Sequence, residues 1–330
     1  MRYLRGGLLG LGIVLLVALI VDNDPGSILT SFSQLSWRLL IVLCFPMILV
    51  VACDTLGWRF AFRRDRVAFG TLLSARLAGE AFNLTTPTAT MGGEAVKTWL
   101  LRGHVPLEES LPSVIVAKTT ITIAQGFLLL LGVVLAGATL PAGSPLLVGM
   151  QWLLIVQVVM LAIFVALQIR GVLGWTVRVL DQIGPLRAWW RPGVLRRADA
   201  VLARFYRRQL GRLVLSIFWH LVAWLLGAVE TYLILQFMGL DVSLATATVI
   251  EAFGTAIRLA TFVVPASVGV LEGGFVAIFA ALGLAPSAGI SFSLIRRVRE
   301  MAWVGAGLVA FAAMRPVAAS DEPRESPSRA

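Results

Sequence analysis

Long apolar runs are the feature that most constrains the fold of this chain. Six of them reach the length of about 20 residues that a helix needs to cross the hydrocarbon core of a bilayer. Backbone polar groups inside lipid must be satisfied within the segment itself, so runs of this length are expected to be helical. The sequence therefore predicts an all-α polytopic membrane protein. The runs cover approximately residues 3–21, 36–58, 109–137, 145–170, 213–238 and 287–314.

The composition agrees with a membrane protein and excludes several other classes. Of the 330 residues, 58% are hydrophobic and only 14% are charged, whereas a soluble domain has about a quarter charged residues. The net charge of +10 does not indicate nucleic-acid binding, because the arginines cluster beside apolar runs. Two cysteines and two histidines provide no spacing typical of a metal site or a disulfide framework. We predict no nucleic-acid partner, no metal and no cofactor.

The charges of the loops predict the orientation. The segment RFAFRRDR at 59–66 and the connection 170–212, with its ten arginines, are basic, whereas loops 138–144 and 239–243 are neutral or acidic. Basic and non-basic loops alternate, as the positive-inside rule requires of a multi-pass protein. We predict a bacterial inner-membrane protein with both termini in the cytoplasm.

Two further apolar stretches, 68–103 and 244–284, are each interrupted near the middle by a proline followed by glycines. Given the orientation of their neighbours, each must enter and leave on one side of the membrane. We therefore predict two re-entrant helical hairpins, the first opening to the cytoplasm and the second to the outside. Unwound backbone is tolerated at membrane depth only where protein or water satisfies it. The predicted hinges are Pro87, Gly92, Gly93, Pro265, Gly269 and Gly273.

The two broken stretches resemble each other. In each, a proline precedes a glutamate by seven residues, at Pro87 and Glu94 and at Pro265 and Glu272. Each stretch also lies between two spans, which defines repeat units at about 36–137 and 213–314. The span after each stretch carries a base, Lys118 or Arg296, that we expect to be buried. The two units face opposite ways, so the sequence predicts an inverted repeat, the arrangement of many transporters with a binding site near the midplane.

Charged residues concentrate in these units. Each would cost at least about 2.5 kcal/mol facing lipid at the bilayer centre, so they are expected to face inward and to pair. The half-helix N-termini would present positive dipole ends to an anionic group there. Ion pairs that merely hold helices together are the alternative, and we expect such packing roles for Asp54 with Arg59 and for Glu230. The candidate translocation residues are Glu80, Glu94, Lys97, Lys118, Arg258, Glu272, Arg296, Arg299 and Glu300.

The remaining segments complete a single transmembrane domain over 1–315. Apolar residues recur at helical spacing between Val194 and Phe205, with arginines on another face. This pattern predicts an interfacial amphipathic helix within the basic segment 171–212. The polar, proline-bearing residues 316–330 are expected to be a disordered cytoplasmic tail.

The two broken segments also carry a family resemblance. The motifs TPTATMGGEAVKTWLLR at 86–102 and VPASVGVLEGGFVAIFAALGLAP at 264–286 resemble the lysylphosphatidylglycerol synthase transmembrane-region family, also described as YbhN-like or flippase-like. The segment SFSLIRRVREMAWVGAGLVAF at 291–311 is most similar to the branch associated with hopanoid biosynthesis. The resemblance implies lipid translocation along the polar residues of the broken segments, and Ala89-Thr90-Met91 departs from the glycine-rich turn usual in the first motif.

Three functions remain open at this point. The first is a lipid flippase that moves a polar or amphiphilic lipid through a charged cavity formed by the two re-entrant hairpins. The lipid would be a hopanoid or a phospholipid with an anionic or polar headgroup. The second is a non-transporting scaffold subunit of a lipid-modifying pathway, which would bind lipid-biosynthesis enzymes. The third, a membrane-embedded enzyme, has no catalytic or nucleotide-binding constellation to support it, so we predict no enzyme. Homo-oligomerisation is left open.

Overall fold

The computed structural model describes residues 26, 37–85, 92–141, 143–170, 192–261 and 269–314. Over these ranges the regular structure is helical throughout. In chain order the helices are α1 (Arg38–Cys44), α2 (Met47–Ala61), α3 (Phe69–Thr85), α4 (Gly92–Leu101), α5 (Leu107–Thr139), α6 (Pro145–Ile169), α7 (Pro192–Arg208), α8 (Leu210–Phe237), α9 (Leu244–Ala260), α10 (Val270–Ala281) and α11 (Pro286–Ala313).

Four helical segments of the described chain are long and apolar enough to cross a membrane: Leu40–Ala61, α5, α6 and α8. They confirm four of the six predicted spans as apolar helices. The predicted first span, 3–21, lies outside the described residues. The predicted last span forms the continuous helix α11 of 28 residues, whose centre carries four charged side chains and is therefore more polar than the other spans.

The predicted span 36–58 is wrong in one respect, because it is not one uninterrupted helix. Helix α1 ends at Cys44, Phe45 takes an extended conformation (φ −108°, ψ 133°), and α2 starts at Met47. The reason is Pro46, which has no N–H to continue the hydrogen-bond ladder of the preceding turn.

Both broken stretches divide into two packed helices, as the sequence predicts. The first gives α3 and α4, and the second gives α9 and α10. Helix α4 has 10 residues and α10 has 12, so they rise only about 15 and 18 Å. The predicted hinge residues Pro87 and Pro265 lie outside the described residues.

Helices of one repeat unit pack on helices of the other. Helix α2 packs on α8, helix α5 packs on α9, and helix α11 packs on α3. Glycines bring the last two pairs close together: a Cβ on Gly132 would lie 2.6 Å from the Cβ of Ala252, and one on Gly307 would lie 2.8 Å from the Cβ of Ala81. Small residues of this kind let the backbones of neighbouring membrane helices approach.

Helix α7 confirms the amphipathic pattern and shows what its apolar side contacts. Ala198, Leu202 and Phe205 are buried, and α7 packs on α5 and α6. Arg197 is exposed and pairs with Glu108 at 3.1 Å. The apolar face of α7 is therefore covered by protein, and the basic face remains available to a charged surface.

Candidate functional site

The first hairpin forms a cleft together with α2, α5 and α8. About 350 Å³ of space free of protein atoms, part of it open to solvent, lies between these helices. Both charged and apolar side chains reach it, from helices that bury most of their other polar groups. The lining residues are Trp58, Arg76, Glu80, Glu94, Lys97, Val114, Ala117, Lys118, Ile121 and His220.

Acidic and basic groups alternate along one side of this cleft. The Nζ of Lys97 lies 3.0 Å from Glu80 Oε1 and 3.2 Å from Glu94 Oε2, and the Nζ of Lys118 lies 3.9 Å from Glu94 Oε1. The side chain of Lys97 is only 7% exposed, whereas those of Glu80 and Lys118 at the two ends are 44% and 45% exposed. The four sequence-predicted site residues of the first unit are thus brought together, with an acid and a base accessible at the two ends.

The predicted burial of the base at position 118 is wrong. Lys118 is an exposed residue, because it lies where α5 borders the cleft and makes only a long contact with Glu94. Its predicted counterpart Arg296 is largely enclosed, with 12% of the side chain exposed.

A buried triad at the wall of the cleft joins three helices. Asp54 on α2 accepts a hydrogen bond of 2.5 Å from Arg76 on α3 and contacts the Nδ1 of His220 on α8 at 2.8 Å. The predicted pairing of Asp54 with Arg59 is wrong, since Arg59 contacts Asp65 instead. The reason is direction: Asp54 faces α8, whereas Arg59 lies at the end of α2 beside the following loop.

His220 is held by close packing as well as by Asp54. A Cβ on Gly57 would lie 2.6 Å from the Nε2 and Cε1 atoms of the imidazole. The ring therefore fits only because position 57 has no side chain, and its Nε2 is a buried atom without a hydrogen-bond partner. Asp54 and His220 were not among the predicted site residues, although a lone charge and a lone histidine within apolar spans were the available signals.

The first hairpin is closed by Asn83 and two glycines. The Oδ1 of Asn83 accepts a hydrogen bond of 2.9 Å from the backbone N–H of Gly93, and its Nδ2 donates to Glu94 at 3.3 Å. A Cβ on Gly93 would overlap the backbone carbonyl oxygen of Gly79. Helices α3 and α4 thus touch backbone to backbone, which places Glu80 beside Lys97.

Hydrogen bonds from an arginine of α8 hold the loop between α2 and α3. Arg212, in the first turn of α8, donates to the backbone carbonyl oxygens of Phe62 and Arg59 and to Asp65 at 2.5 Å. The hydrogen bond from Arg212 lowers the pKa of Asp65 below its ordinary value. The contact is therefore fully formed above that ordinary value and weakens only when the pH falls through the lowered one.

The charged residues of the second unit form a separate and more enclosed group. Arg296 pairs with Glu251, and Arg299 pairs with Glu230. Glu230, for which a packing role was predicted, thus pairs with Arg299. Further contacts in this group are Arg258 with Glu300 at 2.7 Å, Arg299 with Glu300 at 3.8 Å, and Thr231 with Glu251 at 2.7 Å.

Glu272 has a local role that the sequence analysis did not foresee. Its side chain is fully buried, and its Oε2 accepts a hydrogen bond of 2.7 Å from the backbone N–H of Gly269, the residue that precedes α10. Its Oε1 accepts from Arg297 at 2.6 Å and from Ser293 at 3.3 Å. We expected the N-terminus of this half-helix to be open to an anion, but the carboxylate of Glu272 already occupies it.

The predicted hinge glycines have different roles. Gly93 provides the close approach described above, whereas Gly269 has a φ of +79°, a conformation that glycine adopts without a steric penalty. Gly92 and Gly273 lie within the first turns of α4 and α10.

The two charged groups lie at different levels of the same helix. His220 and Glu230 both belong to α8, and ten residues of helix separate them by about 15 Å. We expected both hairpins to contribute to one polar cavity. In the structure, the described cleft is lined by the first unit and His220, while the second unit forms its own network of ion pairs.

Within the described ranges, no group of three or more His, Cys, Asp or Glu side chains could hold a metal ion. Cys44 is exposed and Cys53 is buried, and both are free thiols.

Comparisons with known proteins agree with the membrane architecture. A curated relative, the UPF0104 membrane protein of Methanothermobacter thermautotrophicus (strain Delta H), is 23% identical over 318 residues, which cover 90% of this chain and 91% of the relative. No solved structure matches the chain. The family model for the lysylphosphatidylglycerol synthase TM region matches residues 7–307. This multi-pass membrane protein therefore belongs to the family of the lysylphosphatidylglycerol synthase transmembrane region.

Proposed function

We propose that this protein is a lipid flippase, in which the headgroup of a polar lipid passes through the cleft beside the first hairpin while the acyl chains stay in the bilayer. The observation that carries the proposal is the exposure of Glu80 and Lys118, at the two ends of a series of ion pairs, in a cleft whose other charged groups are largely buried. Charges at membrane depth are costly and mark the paths of polar substrates. The family name, which refers to the membrane region of a synthase of a lysylated phospholipid, supports a role connected with membrane lipids.

The packing of the two units supports alternating access. The last helix of each unit packs on the first hairpin helix of the other unit, as α5 does on α9 and α11 does on α3. Such reciprocal contacts are expected of an inverted repeat, in which one half moves against the other around a fixed site. On this proposal the accessible cleft lies in the first unit, and the ion pairs of the second unit close the equivalent space there.

Two other functions compete with transport. A scaffold subunit would need no accessible charges inside the membrane, so the exposed Glu80 and Lys118 favour transport. The described residues around the cleft include no nucleophile paired with a base, which favours transport over lipid chemistry. A hopanoid cargo, the inner-membrane location and cytoplasmic termini stay predictions.

The proposal is tested by reconstituting the full chain in liposomes that contain acyl-labelled phospholipids with several headgroups. Dithionite bleaches only the outer leaflet, so movement between leaflets appears as a continuing loss of fluorescence. We expect at least one lipid to cross faster than in protein-free vesicles. Replacing Lys118 with glutamine should slow that lipid about tenfold, the effect of losing about 1.4 kcal/mol of headgroup binding.

Arg66→Gln is the matched control for this assay. Arg66 pairs with Glu109 at 3.3 Å at the exposed loop between α2 and α3, so the control also removes one positive charge but leaves the cleft intact. Its transport rate should equal that of the unchanged protein. If no lipid crosses faster than in protein-free vesicles, the protein is not a flippase, and the scaffold function becomes the better account.

The re-entrant arrangement gives a second prediction. We expect single cysteines introduced as Thr88→Cys and Val268→Cys, in a background without Cys44 and Cys53, to react slowly with impermeant thiol reagents added opposite the mouth of each hairpin. The short helices α4 and α10 support this, because neither matches the hydrocarbon core of about 30 Å. A cysteine at exposed position Arg63, in the loop after α2, serves as the accessible control. Rapid labelling of position 88 or 268 from the opposite side would mean that the hairpins cross the membrane.

A further inference from the structure

We propose that the cleft beside the first hairpin selects a zwitterionic headgroup, one that carries a phosphate and an ammonium group a few bonds apart. This inference rests on the proposed function and narrows its substrate class. Three features of the cleft support it: the sum of its charges, their accessibility and the apolar wall next to them.

The charges of the carboxylates, the lysines and the arginine around the cleft sum to zero. Arg76, Lys97 and Lys118 provide three positive charges. Glu80, Glu94 and the Asp54 that holds Arg76 provide three negative charges. A headgroup with a net charge would leave this low-dielectric site with an uncompensated charge, which is costly away from water.

The accessible charges have opposite signs. Glu80 and Lys118 are the two that expose more than a third of their side chains, and Glu94 exposes 21%. The series Glu80, Lys97, Glu94, Lys118 places the accessible acid and the accessible base at its two ends. An ammonium group near Glu80 and a phosphate near Lys118 would each find a partner, whereas the reverse orientation would place like charges together.

This arrangement also disfavours singly charged headgroups. An anionic headgroup that reached Lys118 would lie close to Glu94, whose carboxylate is 3.9 Å from the Lys118 Nζ. It would also bring no ammonium group to the accessible carboxylate of Glu80, whose partner within the protein is Lys97 at 3.0 Å. Rejection by a repulsive or unsatisfied charge is a general source of specificity.

An apolar wall beside Lys118 favours a lipid over a free zwitterion. Val114, Ala117 and Ile121 line the same cleft, and with Lys118 they recur at positions of α5 that fall on one helical face. A headgroup held by Lys118 would therefore have its glycerol and the start of its acyl chains against apolar side chains.

The test compares acyl-labelled phosphatidylethanolamine, which is zwitterionic, with acyl-labelled phosphatidylglycerol, which is anionic, in liposomes containing the full chain. The label must be on the acyl chain so that the ammonium group stays free. We expect phosphatidylethanolamine to cross about tenfold faster than phosphatidylglycerol. This ratio corresponds to a cost of about 1.4 kcal/mol for the one charge that phosphatidylglycerol leaves uncompensated.

Two neutralising variants show whether this preference arises in the cleft. Glu80→Gln leaves the cleft with one excess positive charge, so the ratio of the two rates should fall about tenfold and approach one. Lys118→Gln leaves one excess negative charge, so both rates should fall while the ratio does not. Arg66→Gln should change neither rate.

Equal rates, faster phosphatidylglycerol, or a ratio that Glu80→Gln leaves unchanged would overturn the zwitterion inference and leave the flippase intact. If neither lipid moves, these two rates do not test the inference, and binding to the detergent-solubilised chain decides it instead. The inference is supported if phosphatidylethanolamine raises the thermal midpoint of the unchanged chain while phosphatidylglycerol and free phosphoethanolamine do not. Phosphatidylethanolamine should also leave the thermal midpoint of Glu80→Gln unchanged. Equal stabilisation by the two lipids, stabilisation by free phosphoethanolamine or none at all would overturn it.

Discussion

Replacing Gly93 with alanine is expected to separate the two helices of the first hairpin and to lower the stability of the folded protein. The added Cβ would overlap the carbonyl oxygen of Gly79 and lie 2.6 Å from Asn83 Oδ1. A backbone atom cannot rotate away, so α3 and α4 must move apart. Overpacking costs about 1–3 kcal/mol, and we expect about 3 kcal/mol here because Asn83 also loses its bond to Gly93. The thermal midpoint of the detergent-solubilised protein measures the loss.

Gly305→Ala is the matched control, because Gly305 lies within α11 and a Cβ there would meet no atom within 4 Å. Alanine is the better helix former by about 1 kcal/mol, so this variant should be as stable as the unchanged protein or slightly more stable. A Gly93→Ala variant with an unchanged thermal midpoint would show that the hairpin is not closed by backbone contact at this glycine.

Replacing Arg299 with alanine should have an effect of similar size in the second unit. Its partner Glu230 is buried, and removing one member of a buried ion pair leaves a charge without compensation, at a cost of about 3–5 kcal/mol. We expect a fall in the thermal midpoint and reduced recovery of monodisperse protein in size-exclusion chromatography.

A double replacement, Glu230→Gln with Arg299→Met, separates the charge from the packing. It removes both charges and keeps two side chains of comparable length, and such exchanges of buried ion pairs are often nearly neutral. We therefore expect it to recover most of the stability lost in Arg299→Ala. A double variant as unstable as the single one would mean that the space filled by Arg299, rather than the ion pair, stabilises this unit.

Local sequence patterns were sufficient to predict much of the fold. The apolar runs predicted the helices α5, α6 and α8, and the proline–glycine clusters predicted where the two broken stretches divide. These features depend on residues close together in the chain, such as an apolar run of sufficient length or a proline without an N–H. For the same reason the helical spacing of Ala198, Leu202 and Phe205 predicted α7.

The partners of the charged residues could not be predicted in this way. Asp54 pairs with Arg76 and His220, which lie 22 and 166 residues away in the chain, and only the packing of α2 on α8 and α3 brings them together. The exposure of Lys118 likewise depends on which face of α5 borders the cleft. The sequence indicated which residues are charged within the membrane, but tertiary packing determines which of them a ligand can reach.

The position of Glu272 affects how genetic screens of this protein should be interpreted. A carboxylate that caps α10 and accepts hydrogen bonds from both Ser293 and Arg297 connects α10 to α11, whatever the cargo. Alleles at this codon are therefore expected to lower cellular abundance through proteolytic quality control, and an immunoblot would detect this loss. Alleles at Lys118, in contrast, should leave normal amounts of protein in the membrane. A phenotype at Glu272 thus identifies a transport residue only when it is normalised to the quantity of protein present.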